Sequence, residues 1–272
     1  MRMWLVLGLV ACGGTKDPAG DSGTTVTDTP SGDTGTTDSP TDTAPPAPTA
    51  DIAGTITLDG APVSGAMIRC CLPHGLCYNA TTEGNGTYSL PGLPPSNYAF
   101  EVVGDHSAGQ ATAFAPILLG EDEDRTLDLA VQSYEHNHTI SAAAAEWQLG
   151  EGLYVTVGTD DLTPPDFVDP VDYAAGVRIP DADFPPMDWP ELGTVVAAWY
   201  IDPFDFHAAS GLPFWIDNSV LALPDGETYK VYVGEYLEAE WTEVGDVTVS
   251  GSTISGSGTL PLMSAIILVD PA

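Results

Sequence analysis

Ile52-Ala53-Gly54-Thr55-Ile56-Thr57-Leu58-Asp59-Gly60 is the stretch that decides the fold. Positions 52, 56 and 58 are apolar and the residues between them are small or polar, the period of a strand with one buried face. Asp59-Gly60 follows as a two-residue hairpin turn pair tolerant of positive φ. Outward from it the same texture repeats. Gly65–Cys70, Gly86–Leu90 and Tyr98–Val103 read as further strands, the last two parted by Pro91-Gly92-Leu93-Pro94-Pro95, and Arg125–Val131 reads as the closing strand. Short strands at this spacing, with no helix-period run between them, predict an antiparallel sandwich over residues 51–132.

A second block, 133–272, is long enough to bury its own core. Its strand-like runs are His138–Ser141, Leu153–Val157, Val195–Ile201, Tyr229–Val233 and Ile266–Val269. Ala142 to Trp147 has helical composition but is short and uncapped. The expectation is an all-β chain of two antiparallel β-sandwich domains, preceded by an export signal and a disordered Thr/Asp/Pro-rich linker.

That signal occupies residues 1–12. Arg2 is followed by an apolar run ending Leu9-Val10-Ala11-Cys12, too short to span a bilayer. The ending resembles the lipobox of bacterial lipoproteins. The resemblance implies acylation of Cys12 and anchoring to the outer membrane of a Gram-negative-type cell envelope, facing the periplasm or the exterior, since more than one acyl chain holds a protein stably. Residues 13–50 are Thr, Asp, Ser, Gly and Pro with almost no large apolar side chain, so they cannot offset their ordering entropy. As a coil this tether would span roughly 35 Å.

Within 51–132 the order of Gly54-Thr55-Ile56-Thr57, Gly65-Ala66-Met67-Ile68, Thr82-Glu83-Gly84-Asn85-Gly86-Thr87-Tyr88 and Gly92-Leu93-Pro94-Pro95-Ser96-Asn97-Tyr98 is informative. It resembles the carboxypeptidase regulatory-like family, a transthyretin-like sandwich related to starch-binding-like modules. The departures are Glu83, where the family has Asp, and Ser96, where it has Gly; both fall in turns. The resemblance implies an accessory module with no catalytic residues of its own.

Charge narrows the partners. Six Lys and Arg stand against 39 Asp and Glu, a net charge of -33. Such a chain repels nucleic acid, whose binding needs cations to displace phosphate counterions. It repels anionic lipid as well, which leaves the acyl anchor as the membrane contact.

With Cys12 acylated, Cys70, Cys71 and Cys77 remain. Either of the adjacent pair can staple the loop to Cys77, and strand alternation sends Cys70 and Cys71 to opposite faces, one of them into the core. The sequence has no Gly-x-Ser-x-Gly elbow, His-Glu-x-x-His helix, phosphate-binding loop or Cys-x-x-Cys, which argues against an enzyme. His136 and His138 share one face of a strand and could meet a metal if His207 or an acid joined them, although two ligands do not make a site. Trp189, in a proline-rich loop, is the candidate ligand-stacking residue, the competing role being a plug on the sandwich edge. Together these readings predict a tethered, non-catalytic binding or scaffolding module with no cofactor. Its expected partners are a glycan or an envelope protein, with a carbohydrate-binding accessory protein as first alternative and a metal-dependent enzyme as second.

Overall fold

In the computed structural model, which describes residues 49–166, 168–189 and 192–271, every long element is a strand. The lipobox, Cys12 and nearly all of the tether lie outside the described residues. The tether's expected end at residue 50 moves slightly, because the first strand already begins at the buried Ala50.

The first block contains β1 (Ala50–Leu58), β2 (Ala61–Pro62), β3 (Met67–Cys71), β4 (Cys77–Thr81) and β5 (Thr87–Leu93). It continues with β6 (Ser96–Val102), β7 (Ala113–Leu119), β8 (Asp124–Thr126) and β9 (Leu129–Val131). The decisive stretch forms β1 and its hairpin as expected: Leu58 faces Ala61, and Asp59 and Gly60 take φ of 53° and 75°. β1 pairs antiparallel with β2 and β5 and parallel with β8 and β9. A facing sheet runs β4-β3-β6-β7. Sequence reading missed β4 and β7. The single closing strand is two short ones, broken where Asp128 Oδ1 accepts the Thr55 N–H at 2.7 Å.

The second block comprises β10 (His136–Thr139), β11 (Ala145–Gly150), β12 (Leu153–Val157), β13 (Tyr173–Arg178), β14 (Thr194–Asp202) and β15 (Phe206–Asp217). It ends with β16 (Thr228–Glu235), β17 (Glu240–Ser250), β18 (Thr253–Gly256), β19 (Thr259–Met263) and β20 (Ala265–Asp270). Eleven strands make one antiparallel sheet in the order β10-β13-β14-β20-β16-β17-β18-β15-β12-β11, with β19 on β15. Its ends approach each other. Gly176 on β13 lets the Leu149 carbonyl of β11 pass where a Cβ would collide. The sheet therefore folds over its own core, with the Trp199 indole N–H donating to the Glu151 carbonyl at 3.0 Å.

Strands β14 and β20 are buried on both faces, which accounts for their near-continuous apolar run. Alternation divides their side chains between two cores. Trp199, Ile266 and Leu268 enter the second block's interior, whereas Ala198, Tyr200, Ile267 and Val269 join the core of the first block. The two blocks thus share one hydrophobic layer, within one compact unit. Gly234 on β16 sits against Phe114 of β7, and a Cβ there would overlap the ring.

Candidate functional site

The β14–β15 turn contains Asp202-Pro203-Phe204-Asp205, acids and a proline placed between two apolar strands. The Asp202–Pro203 peptide is cis, and Asp205 sits in the left-handed region at φ 61°, a conformation Asp and Asn tolerate better than most residues. This turn lies where the blocks meet, at a cleft of about 360 Å³. The first block contributes Arg69, Glu101, His106 and Thr112, and the second Tyr134, Tyr173, Asp202, Phe204, Asp205 and Tyr236.

Four carboxylates line it, and three of them, Glu101, Asp202 and Asp205, are nearly inaccessible. Removing an anion from water favours its protonated form. Burial accordingly pushes Asp202 up to about 7, opposed by the Thr112 N–H, which donates to its Oδ2 at 3.3 Å. Burial pushes Asp205 up to about 6, with His207 acting against it and Glu235 with it. Glu101 is raised by burial and held back by Arg69, 3.5 Å away. Asp205 Oδ1 is buried and receives no hydrogen bond; His207 Nε2 is 3.6 Å away.

Aromatic rings form the walls. His106 stacks on Tyr173 with centroids 3.6 Å apart and planes 20° from parallel. Burial lowers the His106 pKa, favouring the neutral imidazole. Tyr236 approaches Phe204 edge-on at 5.7 Å. The Tyr236 hydroxyl lies 2.9 Å from Cys71 Sγ. Cys71 is disulfide-bonded to Cys77 directly opposite it on β4, and Cys70 is free and buried. The loop between the paired cysteines also grips the β16–β17 turn: the His74 N–H donates to the Leu237 carbonyl at 2.9 Å, and His74 Nε2 lies 2.8 Å from Glu238. One wall of the cleft is thereby tied to the disulfide.

The residues singled out from sequence lie elsewhere. Trp189 does not line this cleft. It is half-buried and packs with Phe184, Met187 and Leu192 against the shared core. Its neighbour Asp188 holds Arg125 through two bonds of 2.6 and 2.7 Å and accepts the Leu118 N–H at 2.8 Å, fastening the loop across the first block. His136 and His138 do share one face, with parallel rings 6.0 Å apart. However, His138 Nε2 lies 2.8 Å from the Gln148 carbonyl, which can only accept, so that nitrogen is a donor and not a ligand. Among the described residues no group of three or more metal-ligating side chains forms. His207 stands beside Asp205 on β15. The usable signal for the cleft was Asp202-Pro203-Phe204-Asp205-Phe206-His207, in which acids interrupt an otherwise apolar passage. Glu101, Thr112 and Tyr236 carried none, because only chain folding brings their segments together.

Comparison with family models gives no match, nor does comparison with curated proteins. Solved structures align at low similarity. A protein from Bacteroides uniformis named as a candidate carbohydrate-binding protein shares 11% identity over 82% of this chain and 80% of its own, with a TM-score of 0.27. A DUF3823 family protein from Parabacteroides merdae shares 9% over 82% and 98%, TM-score 0.27. The major pilin subunit of Bacillus cereus shares 13% over 80% and 57%, TM-score 0.27. At such scores the likenesses carry no argument about what this chain does, and the site rests on its own geometry.

Proposed function

We propose that this chain is a non-catalytic binding module of the cell envelope, tethered through a lipid on Cys12, with the cleft between its two blocks as the ligand site. The observation that carries the proposal is the cleft's composition: half-buried aromatic rings beside nearly inaccessible carboxylates, at a size that suits a small ligand or the end of a larger one. Two of the carboxylates are already occupied, Glu101 by Arg69 and Asp202 by Thr112. Among the buried carboxylates that leaves Asp205 Oδ1 without a hydrogen bond. The resemblance of residues 51–132 to the carboxypeptidase regulatory-like family supports the same non-catalytic role. The net charge of -33 speaks against nucleic acid as the partner.

Carbohydrate is the ligand class this composition favours, because aromatic faces take sugar rings and carboxylates accept from hydroxyls. A glycan array probed with residues 13–272 tests it, with Tyr173→Ala as the control. Binding that Tyr173→Ala weakens at least tenfold, with the melting temperature held, supports the cleft. Binding unaffected by Tyr173→Ala places the ligand elsewhere. The tether has its own test: Cys12→Ala should release the protein from membranes and abolish incorporation of labelled fatty acid.

A further inference from the structure

The cleft is short of positive charge. Glu101, Asp166, Asp202 and Asp205 line it against one Arg or Lys, Arg69, whose guanidinium faces Glu101. His106 is held toward its neutral form. Asp205 Oδ1 is a buried acceptor with no donor, and His207 Nε2 is 3.6 Å from it, outside hydrogen-bond reach, on a side chain 41% exposed. A buried carboxylate oxygen left without a donor is costly, and a ligand N–H⁺ placed there would satisfy both its charge and its lone pair. Tyr173, Tyr134 and Tyr236 line the same space, and aromatic rings attract cations.

Resting on the cleft being the ligand site, we infer that it recognises a primary ammonium group, which donates to Asp205 Oδ1 in the space that the tyrosines line. Oδ1 needs a donor, which a quaternary ammonium lacks, and the cleft's shortage of positive charge favours an N–H⁺ over a neutral hydroxyl. The ammonium could belong to an amino sugar or to a plain alkylamine, and the assay separates the two.

Titration calorimetry at pH 7.5 on residues 13–272 would use glucosamine, N-acetylglucosamine and cyclohexylammonium. Glucosamine should bind at least tenfold more tightly than N-acetylglucosamine, which keeps the ring but loses the charge. Asp205→Asn, which keeps the backbone conformation accessible, should remove that preference while melting normally. Cyclohexylammonium binding as well as glucosamine supports the ammonium site and assigns it to plain amines. Equal or tighter binding of N-acetylglucosamine overturns the ammonium inference and leaves the cleft as a sugar site. Absence of binding by both amines at millimolar concentration also overturns it, and the glycan array then judges the cleft separately. A preference for glucosamine that survives in Asp205→Asn overturns the assignment to Asp205.

Discussion

Asp202→Asn should flatten the pH dependence of stability. Asp202 is 3% exposed, and burial raises its carboxyl to about 7, whereas in the unfolded chain it titrates near 3.9. A carboxylic acid with a raised folded pKa binds more protons in the native state than in the unfolded state between those two values. Stability then falls as pH rises through that window and levels off above it. Three units at about 1.4 kcal/mol each correspond to a loss of about 4 kcal/mol between pH 4 and pH 8, a large share of an ordinary domain's stability. Asn is neutral throughout, and its amide oxygen can still accept the Thr112 N–H, so the variant should lack this slope. Asp205 and Glu101 are also raised by burial and act in the same direction, as does repulsion in so acidic a chain, so the comparison is the variant's slope against the wild type's. Urea unfolding of residues 13–272 at half-unit steps from pH 4.5 to 8.5 would measure it. Parallel curves for the two proteins would refute the reasoning, because Asp202 would then titrate alike folded and unfolded.

Three further outcomes follow from the packing. Mass mapping of exported protein should show Cys71 joined to Cys77 and Cys70 alkylated only after denaturation, and Cys77→Ser should cost about 2 kcal/mol for so short a loop. Trp189→Ala should lower stability by about 2–3 kcal/mol in urea unfolding, because the ring packs on the shared core; a change within about 0.5 kcal/mol would mark it as a surface residue. Gly234→Ala should destabilise by roughly 1–3 kcal/mol through overlap with Phe114, and Phe114→Leu introduced alongside it should recover part of the loss.

Local chemistry was legible residue by residue. Alternation at Ile52–Leu58 and the Asp59-Gly60 pair determined β1 and its hairpin, because strand period and turn preference act over a few residues. The same local rule put Cys70 and Cys71 on opposite faces of a strand but left open which of them pairs with Cys77; the structure pairs Cys71 and leaves Cys70 free and buried. β4 and β7 escaped notice: Cys77–Thr81 is a half-exposed edge with little apolar pattern, and Ala113–Leu119 is buried almost throughout with no alternation. The apolar runs at Val195–Ile201 and Ile266–Val269 announced buried strands, yet sequence could not say what covered their second face. Only the tertiary structure decided that the first block packs there, and with that packing it made the cleft. Burial of Asp202 and Asp205, and hence their raised proton affinity, depends on Glu101 and Thr112 arriving from some ninety or more residues away. Desolvation belongs to the assembled environment and to no short stretch of chain.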